Sequence, residues 1–185
     1  FHFASVAKPF VATAIVQLVE KGKLKLDDPV VKHLPYFRLA DERYSDITIR
    51  QMLNHTAGMR DVEDYEWDSP QFDKGAAERY VRSLSSEKLL WAPGSHWQYS
   101  NIAFDVLGDL IAKVSGLSFE EYMRINILEP IGMVNSSFIY PEIDKKLRTT
   151  GHTGDPARIS TVYPYNRRHA PSSTLNSSVA EMTRW

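Results

Sequence analysis

Ser5-Val6-Ala7-Lys8 is the stretch whose residue types and spacing most directly suggest chemistry. Ser5 and Lys8 stand three residues apart, which on a helix puts the hydroxyl and the amine on one face, one turn from each other. A serine hydroxyl is a weak nucleophile at neutral pH until a neighbour takes its proton, and a lysine can do so when burial or nearby positive charge holds it neutral. The first turn of a helix adds unpaired backbone N–H groups that can meet a developing oxyanion. Nucleophile, proton acceptor and oxyanion donor would then share one helix start. On the motif alone, Ser5 reads equally well as an ordinary N-cap serine. A second copy, Ser85-Ser86-Glu87-Lys88, precedes the short run Leu89-Leu90-Trp91, broken at once by Ala92-Pro93-Gly94. It opens no long helix and reads as a surface segment.

Tyr99-Ser100-Asn101 is the second candidate, because a turn at a helix start lets its alternate side chains project together toward a cleft. A phenol titrates near 10 in water, and a neighbouring ammonium stabilises the phenolate, so Tyr99 beside Lys8 could take the Ser5 proton and return it to a leaving group. The Asn101 amide could hold Lys8 and a substrate carbonyl. A buried aromatic and a cap asparagine are the plainer reading of the same pair. His55 has no carboxylate partner assignable from sequence and reads as a structural, hydrogen-bonding histidine. The chain has no cysteine, which excludes thiolate catalysis and Cys-type zinc sites, and its six histidines are scattered. Neither a metal nor a cofactor is expected.

These groups need elements to hold them. From Phe10 to Val19 the residues Phe10, Val11, Ala14, Ile15, Leu18 and Val19 recur at helical spacing, predicting a largely buried helix that starts at Ser5 and stops near Gly22. Asp28-Pro29 reads as N-cap and first residue of a short helix. Thr48-x-x-Gln51 reads as a capping box for a helix from Ile49 to about His55, with Gly58 at positive φ in the turn beyond. Residues 61–75 are acidic and aromatic, a loop carrying Tyr65, Trp67 and Phe72. Glu78 to Ser83 is a modest helix. Ile102, Ala103, Val106, Leu107, Leu110, Ile111 and Val114 predict a strong helix that ends at Gly116. Ser118-x-x-Glu121 opens another, from Phe119 to about Leu128, and Ser178-x-x-Glu181 a third capping box at the end.

At 185 residues, 43% hydrophobic and 24% charged, the composition is globular, with room for one ordinary domain or two small lobes. A net charge of -1 gives no field to attract nucleic acid or an acidic membrane, and Arg167-Arg168-His169 reads as a solvated loop. No apolar run is long enough to span a membrane, so no transmembrane segment is expected. No signal peptide opens the chain. Phe1 falls so close to Ser5, and Trp185 so soon after a fresh helix start, that truncation is expected at both ends.

Taken together, Ser5-x-x-Lys8 and Tyr99-Ser100-Asn101 with their surroundings resemble the serine β-lactamase-like family of class C β-lactamases, D,D-peptidases, D-aminopeptidases and related esterases, which share the penicillin-binding protein fold. The likeness also covers Leu26-Asp27-Asp28-Pro29-Val30, Leu53-Asn54-His55-Thr56-Ala57-Gly58-Met59, Pro93-Gly94-Ser95 and Pro130-Ile131-Gly132-Met133. It implies an α+β fold, an antiparallel sheet flanked by helices plus a helical lobe, of which this chain is mostly the α-helical part. Residues 1–30 would be the nucleophile helix and the start of the α/β lobe, 31–140 the helical lobe, and 141–185 a return segment. It implies Ser5 as acylated nucleophile, Lys8 as its proton-network partner, Tyr99 as general base or acid, and Asn101 as substrate and lysine contact. The substrate would be a small molecule or peptide, a β-lactam, D-amino-acid peptide or ester, and the location periplasmic or otherwise extracytoplasmic. A non-catalytic penicillin-binding sensor or scaffold is the alternative. The family's third motif, Lys- or His-x-Gly on a late strand, is expected beyond Trp185. His152-Thr153-Gly154 mimics it out of order, so the piece alone is expected to be weak or inactive.

Overall fold

In the computed structural model, which describes residues 1–185, Ala4 to Val6 form a 3-10 turn that runs directly into helix α1, Ala7–Glu20. The α-helix therefore begins two residues after Ser5 rather than at it. Ala4 sits at φ +45, a strained conformation for an L residue, and bends the chain into that turn. Pro9 is tolerated in the first helical turn, where its missing N–H has no intrahelical role. Ala7, Phe10, Val11, Ala14, Ile15 and Leu18 are buried. The helix stops because Gly22 takes φ +67, which lets Gly22 N–H reach Val19 O (2.9 Å) and Lys23 N–H reach Leu18 O (2.9 Å).

Helix α2, Val30–His33, departs from the sequence expectation, because Asp28 is not its cap. Pro29 stays extended while Val30 N–H donates to Ile47 O at 2.9 Å, so the chain pairs with the strand-like Ile47-Thr48 before it coils. The Asp28 carboxylate instead takes Lys25 N–H, Lys32 Nζ and His33 Nε2. Helix α3, Ile49–Leu53, carries the reciprocal capping box of Thr48 and Gln51. It ends short of His55, which adopts φ +61 so that Thr56 N–H can return to Gln51 O.

Helix α4 spans Ala76–Ser83 and helix α5 spans Asn101–Ser115. Ser100 caps α5 by accepting from Ala103 N–H, and Gly116 closes it at φ +77. Every residue from Asn101 to Ile111 is buried, so α5 is wrapped on all sides and serves as the axis of the molecule. Helix α6, Phe119–Met123, loosens into a π turn over Arg124–Leu128, so the predicted stretch is helical throughout but changes its hydrogen-bond step midway.

Two short strands, β1 (His152–Thr153) and β2 (Arg158–Ile159), pair antiparallel with His152 opposite Ile159. They form an exposed hairpin. Helix α7, Ala170–Ser173, and helix α8, Val179–Met182, follow. Ser118 and Ser178 cap α6 and α8 in one direction only, accepting from Glu121 N–H and Glu181 N–H. At α8 the Glu181 carboxylate is taken by Asn135 and Ser136 instead. Arg167-Arg168-His169 is not a solvated loop. Arg167 forms a two-pronged pair with Glu120 and donates to Phe72 O, and His169 is fully buried. One cluster of 35 buried residues runs from Ala7 to Leu175, so the opening helix, α5 and the late segment share a core.

Candidate active site

Two long-range connections place the opening residues on α5. Phe3 N–H donates to Leu175 O (2.8 Å) and Ser177 N–H to Phe1 O (3.0 Å), so the segment before α8 clamps the chain just ahead of Ser5. On the other side, α7 approaches α5 where Gly108 faces Pro171. A Cβ on Gly108 would lie 1.9 Å from Pro171 Cγ, so only glycine permits this crossing. The approach brings the carbonyl of Ser172 to the first turn of α1.

The four side chains singled out in the sequence converge. Ser5 Oγ lies 2.7 Å from Tyr99 Oη and 3.1 Å from Lys8 Nζ. Lys8 Nζ also donates to Asn101 Oδ1 at 2.5 Å and to Ser172 O at 2.9 Å. An ammonium has three N–H donors, and here three acceptors surround it. When Lys8 fills all three, Ser5 Oγ is an acceptor from Lys8 and turns its own proton toward Tyr99 Oη. Ser5 is exposed while Lys8 and Asn101 are buried, so the serine hydroxyl faces solvent and the two side chains behind it do not. The Lys8 amine also lies 4.9 Å from the centre of the Tyr99 ring and 5.4 Å from that of Phe104, a favourable placement for a cation.

His55 stands behind this group rather than in it. Its Nδ1 accepts from Ser100 N–H (3.2 Å), and its ring lies 4.5 Å from that of Tyr99. Burial holds its pKa below the usual value and the Lys8 charge adds to that, while Asp61 pulls weakly the other way. The second Ser-x-x-Lys copy is elsewhere, with Ser85 and Lys88 exposed. No hydrogen bond to the side chains of Ser5, Lys8, Tyr99 or Asn101 comes from His152-Thr153-Gly154. No group of three His, Asp or Glu side chains is placed to hold a metal ion.

Three supports were not legible in the sequence. Asp61 Oδ1 accepts from both Asn101 N–H and Asn101 Nδ2. Ser172 contributes a backbone carbonyl, which carries no residue signature. Behind it, Asp105 accepts from Ser172 N–H (3.2 Å) through one oxygen and meets His169 Nδ1 (2.6 Å) with the other. Arg168 Nε donates to His169 Nε2, which leaves the ring proton on Nδ1, facing Asp105. Tyr65, from the acidic and aromatic loop, packs its ring edge-on to His169 at 5.0 Å and lies 5.2 Å from that of Trp67. Burial raises its phenol well above the usual range, with the Asp61 and Asp105 carboxylates adding to the effect. Trp67 in turn lines an open groove of about 470 Å³ with Phe72, Tyr140, Tyr163 and Tyr165.

Comparison with known proteins gives consistent results. The profile of the family described as Beta-lactamase matches residues 1–185. The chain is 33% identical to esterase EstB of Burkholderia gladioli over 86% of its own length and 43% of the esterase. It is 36% identical to penicillin-binding protein 4* of Bacillus subtilis over 76% of its length and 30% of that protein. Among solved structures, the octameric penicillin-binding protein homologue from Pyrococcus abyssi superposes with a TM-score of 0.76 at 29% identity, covering all of this chain and 43% of the other. The chain thus spans less than half the length of these relatives.

Proposed function

The chain belongs to the beta-lactamase family, and from that premise we propose that the protein is a serine hydrolase that forms an acyl-enzyme on Ser5. The observation that carries this reading is the 2.7 Å contact between Ser5 Oγ and Tyr99 Oη, on a serine whose other neighbour is the Lys8 amine. Acting as the phenolate beside the Lys8 ammonium, Tyr99 takes the Ser5 proton as Oγ bonds to the carbonyl carbon of an amide or ester. The first turn of α1 offers backbone N–H donors to the oxyanion. Tyr99 then protonates the leaving nitrogen or oxygen as its bond to carbon breaks. Water attacks the acyl carbon as the Tyr99 phenolate takes its proton, and Tyr99 passes that proton to Ser5 Oγ as the acyl bond breaks, releasing the acid and restoring Ser5. Lys8 keeps positive potential beside the phenol throughout, and Asn101 holds Lys8.

The substrate class is an ester, a β-lactam or a D-amino-acid peptide: the names of two relatives, an esterase and a penicillin-binding protein, support the first two, and the family resemblance adds the third. The same reading makes residues 1–185 alone a poor catalyst. In this reading the third-motif strand expected beyond Trp185 supplies the second oxyanion N–H, and going without one such donor costs roughly 100- to 1,000-fold in rate. The test is incubation of the full-length protein with a labelled penicillin and with p-nitrophenyl esters, followed by mass spectrometry. Acylation and release at Ser5, lost in Ser5→Ala, is the expected result. A lasting adduct would favour a non-catalytic penicillin-binding sensor or scaffold; the name of one relative speaks of penicillin binding. No adduct at all would remove the nucleophilic role of Ser5.

A further inference from the structure

The side-chain amide of Asn101 has an oxygen end and a nitrogen end, and only the oxygen suits an amine donor. Which end faces Lys8 is decided on the far side of the amide. There Asp61 Oδ1 accepts from Asn101 Nδ2 at 2.9 Å, from Asn101 N–H at 2.8 Å and from Val62 N–H at 2.8 Å. A carboxylate oxygen is an acceptor only, so it holds the NH₂ end toward itself and turns Oδ1 to Lys8, 2.5 Å away. A flipped amide would set oxygen against carboxylate and NH₂ against the amine, losing both contacts.

We propose that Asp61 is a positioning residue for the acylation step: it locks the Asn101 amide in the orientation that gives Lys8 its acceptor. This rests on the serine hydrolase reading above and extends it to a residue that touches neither Ser5 nor Tyr99. A charged group is suited to the task because Asn101 N–H is the first of α5, where the helix start favours negative charge. One oxygen therefore anchors both the end of the central helix and the rotamer of its first side chain. Asp61 lies in a stretch otherwise rich in exposed acids, Glu63 and Asp64 among them, from which its partial burial and its bonds to Asn101 distinguish it.

The experiment compares Asp61→Ala and Asp61→Asn with the unaltered full-length protein, by the rate of Ser5 acylation and by the side-chain amide signal of Asn101 in ¹H–¹⁵N spectra. In the unaltered protein one Asn101 amide proton should be protected from exchange. Asp61→Ala should lose that protection and acylate about 10- to 100-fold more slowly, the scale of one charge-assisted hydrogen bond, with little change in KM. Asp61→Asn keeps an oxygen acceptor and should recover protection and most of the rate. An Asp61→Ala protein that retains the protected amide and the original rate overturns the proposal. If Asp61→Ala does not fold, Asp61→Asn decides: a native melting curve with the amide signal lost overturns it, and a retained signal supports it. The signal is read on unreacted protein, so it judges Asp61 even where Ser5 takes no acyl group, a result that would sink the hydrolase reading instead.

Discussion

Three oxygens from widely separated parts of the chain surround the Lys8 amine: its own-turn Ser5, Asn101 at the start of α5, and the carbonyl of Ser172. That arrangement leaves Tyr99 as the one side-chain partner of Ser5 that is free to receive a proton while Lys8 donates. Tyr99→Phe should therefore slow acylation by about 100- to 10,000-fold, the usual range for a lost general base. The ring stays packed on His55, so the melting temperature should barely move. Burst kinetics and a thermal melt check the two halves of that expectation. The convergence of Ser5, Lys8, Tyr99 and Asn101 was legible in advance because side-chain type, short spacing at helix starts and the family resemblance all marked these four. Asp61 and Ser172 were not. One looks like its acidic neighbours and the other acts through a backbone carbonyl, so their roles exist only once distant segments meet.

At the scale of elements, the α5–α7 crossing is what delivers Ser172 to Lys8. Gly108→Ala should push Pro171 away, destabilise the fold by about 1–3 kcal/mol as overpacking does, and lower the acylation rate because the Ser172 carbonyl moves with α7. Gly116→Ala is the contrasting case, since nothing lies within 4 Å of a Cβ there and the strain is confined to φ +77 at the end of the helix. It should lower the melting temperature while leaving acylation unchanged. Equal rate losses in the two variants would mean that general destabilisation, not the crossing, controls the site. Periodicity and caps made α1, α3 and α5 legible, because each is defined by its own residues. The seating of the His55 ring and the fate of Arg167 and His169 depend on partners more than 40 residues away. Local pattern carries no trace of such partners.

Over the whole molecule, the late segment is tied back to earlier turns by buried polar groups as well as by the shared core. Glu181 is the clearest case: its carboxylate accepts from Ser136 Oγ at 2.5 Å and from Asn135 N–H and Nδ2 at 3.0 Å. Burial alone would raise its pKa, but the Ser136 and Asn135 donors outweigh it and hold the group below its ordinary 4.5. A depressed carboxylate pKa adds stability above the unfolded value and loses it as pH falls through the folded one. Glu181→Gln should therefore flatten the loss of stability below about pH 4.5, as read from urea unfolding at a series of pH values. An unchanged pH dependence would show that other carboxylates, such as the strongly depressed Asp28, dominate. The order of the site's parts along the chain has a consequence during synthesis. Ser5 precedes Ser172 by 167 positions, so the growing polypeptide carries the Ser5 hydroxyl through a long stretch of translation without the carbonyl that completes the setting of Lys8. Under the proposed hydrolase chemistry, Ser5 would stay latent until Ser172 has been made and has folded onto Lys8.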